Sequence, residues 1–374
     1  MMPEVADCGT NVKGSVSNGL AVDAQLTLKL ALIVLSLISG QCVHEAERVL
    51  LPIKEGRNFG YIDVKGRVVI TPQFGKGRGF SEGLAAVEVD RKWGYIDEKG
   101  KFVIPPQFYD VGEFSEGLAR FAIQARITNC WGNELWGYIN KTGSVVVIPQ
   151  YKYTWGFSEG LAAVVVCTSR GDSRVGFIDH SGRMVIAPTL DFTGSFHDGL
   201  ADVRIGEKYG YIDKSGRLVI PATFELAYPF SDGYATVGKA ITTKYADRFG
   251  FIDKSGRVTI PFKYEDAHLF GEGLAPVMVK GKWGFIDKAD RLVIPCQFEH
   301  AFGFSEGLAA VDVGGKSGYI DRTGRIVIEP RFYIPGEFHH GIACVMSDPR
   351  DWEGHVVKKG YIDRTGKYIW GPKY

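Results

Sequence analysis

"WGYIDEKGKFVIPPQF", Trp93 to Phe108, sets an aromatic-Gly pair, an Asp-to-Gly turn segment and a Val-Ile-Pro run side by side. An active-site motif is usually written once, whereas a structural unit recurs. This stretch recurs as "FGYIDVKGRVVITPQF" from Phe59, "YGYIDKSGRLVIPATF" from Tyr209, "SGYIDRTGRIVIEPRF" from Ser317 and five further copies, the last starting at Lys359. Nine copies fill nearly all of the chain after residue 50, the signature of a repeat architecture.

The first glycine of each copy stands at 60, 94, 137, 176, 210, 250, 284, 318 and 360, which gives a basic period of 34. A second landmark, "FSEGLA" at Phe80–Ala85, returns in variants down to "FHHGIA" at Phe338–Ala343. From the glycine to the residue before that Ala is always 24 positions, while the distance onward to the next glycine runs from 10 to 19. All length variation is thereby confined to one part of the unit.

Alternation with period two reads each unit as strands. In "LAAVEV" (84–89), Ala85, Val87 and Val89 share a face, and this is strand a. Strand b is "WGYID", with Trp93 and Tyr95 on one side. "DEKG" turns the chain, because Asp bonds its own downstream backbone and Gly adopts positive φ. Strand c, "KFVIP", ends at Pro105 or lies at an edge, since Pro donates no ladder hydrogen bond. The expected fold class is all-β: a tandem array of about nine three-stranded antiparallel β-meanders, forming an open curved solenoid rather than a closed propeller-like ring. The expected domains are a non-repeat segment, 1–48, and the array, 49–374, starting with "VLLPIK" (49–54) as the first strand a.

These residues resemble the WG repeat family, named for its Trp-Gly dipeptide, over roughly residues 49–374. The matching elements are the aromatic-Gly-aromatic-Ile-Asp core, the Thr/Ser-Gly turn, the "VIP" strand and "FSEGLA"; departures are Val175, Ser317 and Lys359 at the Trp position, Asn140 for Asp and Asp290 for the turn Gly. The resemblance implies a β-rich repeat protein, mostly of bacterial type, and carries no common enzymatic activity.

With 44 basic and 43 acidic residues, the net charge of +1 lacks the footprint of a nucleic-acid binder. One Asp per turn, from Asp63 to Asp363, reads as a turn cap rather than a ladder of metal ligands. The acid of "FSEG", such as Glu82 or Glu306, receives the same structural reading. His197, His339 and His340 lie in crossovers without zinc-like spacing, and neither a nucleophile elbow nor a phosphate-binding glycine motif is present. No enzyme activity, metal or cofactor is expected.

Among the first 48 residues, the uncharged run Leu30–Ile38 after Lys29 reads as the core of an export signal, too short for the roughly 20 residues of a membrane span. An uncleaved anchor and a merely apolar segment are the alternatives, and residues 1–25 read as an upstream extension. Export is the favoured localisation, with the cytoplasm as alternative. Cys130 and Cys167 lie in the a–b regions of consecutive units and form a staple if the chain is exported; free thiols are the other reading.

Two functions compete: a scaffold that presents its a–b hairpin loops to a protein or other macromolecule, and an envelope module whose exposed aromatics stack on glycans. The candidate contact residues are Trp131, Trp155 and Trp352. The long loops are Ile123–Leu135, Cys167–Arg174, Ala240–Arg248 and Ser347–Lys358. Membrane contact is expected only through the N-terminal segment.

Overall fold

In the second repeat unit, Leu84–Val89 pairs antiparallel with Lys92–Ile96, which pairs with Phe102–Phe108. These are strands a, b and c. The computed structural model describes residues 49–125, 133–168, 171–241, 247–348 and 358–371, and among them every element is a strand or turn. The first strand a is Leu50–Glu55.

A fourth strand, Lys76–Ser81, borders strand a on its other side. Among the described residues, seven of the nine sheets have this four-stranded order, and the first and last show three strands. The expectation of three-stranded meanders is therefore corrected. The segment before "FSEG", read as a crossover, is itself a strand, reduced to Tyr153–Thr154, Phe192–Thr193, Leu226–Ala227 and Asp266–Ala267 in four of the blades. Two paired residues are too few to show alternation in sequence.

These extra strands converge into an inner annulus. Ser81 Oγ donates to the Phe114 carbonyl of the next blade at 2.6 Å, Ser115 Oγ to Phe157 at 2.6 Å and Ser305 Oγ to Phe338 at 2.7 Å. Tyr95, fully buried, sets its ring edge-on to Phe114 at 4.8 Å and donates its hydroxyl to the Gly112 carbonyl at 2.7 Å. Tyr61, Tyr138 and Tyr319 repeat this contact with Phe80, Phe157 and Phe338. Burying one such ring removes roughly 150–250 Å² from water, of order 4–6 kcal/mol as an upper value.

The WG glycine has a steric cause. Strand c bulges, so that Tyr95 faces Ile104 while Trp93 faces Phe108, and four residues of strand c span two of strand b. The bulge lays its backbone over Gly94, where a Cβ would stand 2.5 Å from the Ile104 oxygen and 2.7 Å from the Pro106 nitrogen. Gly60, Gly210, Gly284 and Gly318 are covered in the same way. Strand c continues through Pro105 instead of stopping there, and the sheet accepts the proline because c is the edge strand.

The two ends of the array meet, and the open solenoid is overturned. Tyr361 in the last blade donates to the carbonyl of Pro52 in the first at 2.9 Å. Ile53 and Ile62 of blade 1 bury themselves with Ile342 and Tyr361 of blade 9, and Leu51, Cys344, Ile369 and Trp370 pack against them. Each turn glycine also faces the preceding blade: Gly100 lies on Ile70, Gly143 on Ile104 and Gly366 on Ile328, and Gly66 completes the circle against the carbonyl of Ile369. The chain is a closed nine-bladed β-propeller. A constant rotation per blade returns to its origin, and the fourth strand fills the centre that three-stranded blades would leave unsupported.

Candidate functional site

Strand alternation sorts the connections onto two faces. The "FSEG" turns and the b–c turns share one face, and the a–b hairpins share the other with the crossovers between blades.

The first face is consumed in closure. Glu82 and Gly83 both have positive φ, 52° and 81°, and this pattern recurs to His340 and Gly341 at 54° and 77°. Holding a non-glycine residue there aims its carboxylate at the following blade. Glu116 accepts the Gly160 N–H at 2.9 Å, Asp232 the Gly273 N–H at 2.7 Å and Glu306 the Gly341 N–H at 2.8 Å. The same carboxylates meet a basic residue in that blade's b–c turn, as Glu82 meets Lys141 at 3.0 Å and Glu116 meets His180 at 3.0 Å. These acids are inter-blade latches, a role single-unit reasoning could not find because both partners lie in the next repeat.

The turn aspartates are caps, as expected. Asp179 Oδ1 accepts the N–H groups of Ser181 and Arg183 at 3.0 and 3.1 Å, and the Ser181 hydroxyl and the Arg183 side chain hold its carboxyl down to about 2.

On the other face, blades 1, 2, 5, 7 and 8 close their a–b hairpins with two residues: Gly56-Arg57, Asp90-Arg91, Gly206-Glu207, Lys280-Gly281 and Gly314-Gly315. Positive φ at both positions in blades 2, 7 and 8 makes those type I′ turns. Glu265 caps one by accepting the N–H groups of Lys280 and Gly281 at 3.0 and 2.8 Å. Blades 3, 4, 6 and 9 carry the four long loops, whose tips at 126–132, 169–170, 242–246 and 349–357 lie outside the described residues. Trp131, Trp352 and Cys130 fall there, as do residues 1–48.

Trp155 is placed elsewhere than the loops. It follows the inner strand of blade 4, partly buried, with its carbonyl accepting the Tyr138 hydroxyl at 2.7 Å and its ring edge-on to Tyr153 at 5.0 Å. It packs against the core cluster of Val175 and Phe177. Nearby, the Arg120 guanidinium lies 5.0 Å from both the Trp136 and Tyr153 rings and donates to the Thr154 carbonyl at 2.6 Å. Arg78 stacks on Trp93 at 4.8 Å and pairs with Asp110 at 2.9 Å.

Several carboxyls of the interior titrate high, Asp312 among them through burial. Asp202 is 5% exposed, its Oδ1 has no hydrogen-bond partner, and burial pushes it up to about 7. Burial raises Glu337 to about 7 and raises Glu113 against the pull of Arg78 and Arg120. Glu113 and Glu337 occupy the same repeat position, one before the Phe of the inner segment, and His339 Nε2 stands 3.7 Å from Glu337 Oε2. Among the described residues, no three His, Cys, Asp or Glu side chains gather as a metal site.

A family model described as "WG containing repeat" matches residues 59–93, 93–123, 136–166, 176–209, 209–239, 249–283, 283–316 and 318–348. The chain belongs to the WG-repeat family. Each match runs from the covered glycine of one blade into the next, so the WG repeat and the blade are offset by the inner strand. A solved structure described as the eukaryotic initiation factor superposes with a TM-score of 0.62 at 11% identity, covering 88% of this WG-repeat chain and 96% of its own. That likeness concerns the fold alone. The β-propeller domain of the Trilobed protease from Pyrococcus furiosus (TM-score 0.38, 11% identity, 70% of this chain and 94% of that one) is more distant. So is apo AztD from Citrobacter koseri (TM-score 0.38, 13% identity, 86% and 93%). No curated protein matches the sequence.

Proposed function

We propose that this WG-repeat propeller is a non-catalytic scaffold that captures a protein partner on the face of its a–b hairpins. One contrast carries the reading: the opposite face is held by latches between every described pair of "FSEG" turns, while on this face four hairpins lengthen freely. One-sided insertion on a rigid frame is the usual arrangement of a binding surface. Trp131 and Trp352 belong by sequence to two of those loops.

The half-buried setting of Trp155 removes one of the aromatics that a sugar-stacking module would need. Export fits the same reading, because Cys167 and Cys344 are both disulfide-bonded and disulfides persist in oxidising compartments. The apolar run Leu30–Ile38 supports it independently.

Affinity capture from a native extract with wild-type chain, and with the four long loops cut to two-residue turns, tests the proposal. Partner capture is expected to disappear with the loops while the fold stays intact. Unchanged capture by the trimmed chain would transfer the site to the latch face or the inner annulus.

A further inference from the structure

Strand c is the outermost strand of every described blade, and its side chains keep more solvent exposure than those of strands a and b. An exposed strand edge is a template for pairing with another chain, and proteins guard it with charge and proline. Eight blades carry that guard. The residue that follows the b–c turn is an exposed Arg or Lys, as at Arg67, Lys101 and Arg217. Four positions on stands a proline, as at Pro105, Pro221 and Pro261, or a polar or small residue such as Thr71 or Glu329.

Blade 3 departs at each of these positions. Ser144 stands in place of the base and Ile148 in place of the guard, and Asn140 replaces the turn Asp found in every other blade. Residues 142–151 include no charged side chain, whereas the equivalent segment carries at least one in each of the other blades. The turn itself is unaltered: Asn140 Oδ1 accepts the N–H groups of Thr142 and Ser144 at 3.1 and 3.0 Å, as Asp179 does for Ser181 and Arg183. Lys141, next to the cap, is committed to Glu82 at 3.0 Å. Apolar exposure rises where the charges are lost. Ile148 is 66% exposed, the most of any large apolar side chain among the described residues, and Val145 and Val146 are 51% and 37% exposed. Val147 between them is buried, with its Cγ2 2.9 Å from the Cβ position of Gly182 in blade 4. That contact fixes the strand to the ring, so the apolar edge is held in place before any partner arrives.

We propose that strand c of blade 3, Val145–Tyr151, is a homodimer edge, paired antiparallel with the same strand of a second copy across a two-fold axis. Complementarity selects the occupant. An uncharged aliphatic edge disfavours any strand that would bury a charge against it. Of the nine equivalent segments in this chain only residues 142–151 lack a charge, so this edge matches itself and no other edge of the ring. Self-pairing centred between Val146 and Val147 sets Val145 opposite Ile148 and Val146 opposite Val147, aliphatic on aliphatic throughout. Pro149 has no N–H to donate and ends the ladder there. Two four-stranded blades then join into one continuous sheet. The contact is small beside the roughly 20–30 residues a side of a stable interface, so the dimer is reversible. It lies on the rim, apart from the face of the a–b hairpins, and its failure would leave the function proposed above untouched.

Sedimentation of the full-length chain over roughly 1–500 µM tests this, with the mass expected to rise from one chain to two. A double variant, Ser144→Arg with Ile148→Pro, restores the guard that blade 5 carries in Arg217 and Pro221, and blade 2 already accommodates consecutive prolines at Pro105 and Pro106. It should keep the wild-type Tm to within about 2 °C and remain a single chain throughout. Hydrogen exchange on the wild-type chain locates the contact even if the variant does not fold. Amides of 145–148 should slow at least about threefold as the dimer forms, while those of 218–220 stay unchanged. A wild-type chain that is monomeric at every concentration, a dimer that persists in the double variant, or a dimer without slowing at 145–148 would each overturn the proposal. So would slowing at 145–148 that requires added liposomes or an unrelated apolar peptide instead of a second copy.

Discussion

The hydroxyl of Tyr361 donates to the carbonyl of Pro52 at 2.9 Å, joining residues 309 positions apart. Elsewhere the same tyrosine reaches a residue only 17 positions on, in the next blade's inner segment, as Tyr95 reaches Gly112 and Tyr319 reaches Gly336. The seam is thus the ordinary inter-blade contact with its acceptor moved to strand a. Tyr361→Phe leaves the buried Pro52 carbonyl without this donor and should cost about 1–2 kcal/mol. Faster hydrogen exchange should appear first in blades 1 and 9. Uniform acceleration around the ring would mean that this bond holds no particular seam.

Two glycines of adjacent blades should respond differently to alanine. At Gly94 the added Cβ meets fixed backbone, the Ile104 oxygen and Pro106 nitrogen at 2.5 and 2.7 Å, and the substitution should cost about 3 kcal/mol or more. At Gly117 nothing lies within 4 Å, and only the φ of +83° is unfavourable, so Gly117→Ala should cost about 1 kcal/mol. Chemical denaturation of the two variants measures the difference, and equal costs would remove the steric account of the WG dipeptide.

Asp202 should make stability depend on pH. Its carboxyl titrates near 7 in the fold because of burial, against about 3.9 when unfolded. The folded state therefore holds the proton more tightly. Stability is highest below the unfolded value, falls as pH rises from about 4 to 7, and is level above that. Asp202→Asn should reduce this slope to the part that Glu337 contributes and raise stability at pH 8 by about 2–4 kcal/mol. A variant with the wild-type pH profile would place the titration elsewhere.

The latches are worth less individually. Glu306→Gln keeps an acceptor for the Gly341 N–H and loses the pair with Arg364 at 3.7 Å, which is half in solvent. The cost should stay below about 1 kcal/mol and vanish in high salt. Glu306→Ala, which removes the acceptor as well, should cost more at any salt concentration. Equal effects of the two variants would show that charge, not the N–H bond, does the latching.

Strands a, b and c were legible because alternation and the Asp-Gly turn are local: Leu84–Val89 lies where the pattern puts it. The inner strand was not, since Asp266–Ala267 pairs through two residues and its neighbours Gly112, Trp155 and Tyr228 share no residue type. Closure depends on the angle between blades, which Gly100 and Ile70 fix across a repeat boundary. The "FSEG" acid looked inert for the same reason, as Glu116 finds its partners in Gly160 and His180. Trp155, chosen as an exposed contact, packs on the inner annulus because its neighbour Tyr153 offers a ring face there.

The closed ring is tested most directly by two distances between spin labels carried on unnatural amino acids at the exposed turn positions 67, 101 and 367. Arg67 and Lys101 belong to adjacent blades 1 and 2, and Lys367 and Arg67 to blades 9 and 1. A closed propeller predicts that the 67–367 distance equals the 67–101 distance to within a few ångströms, although one pair is separated by 34 residues and the other by 300. An open array would separate residues 67 and 367 by eight blade spacings, and a distance several times that of 67–101 would contradict the ring.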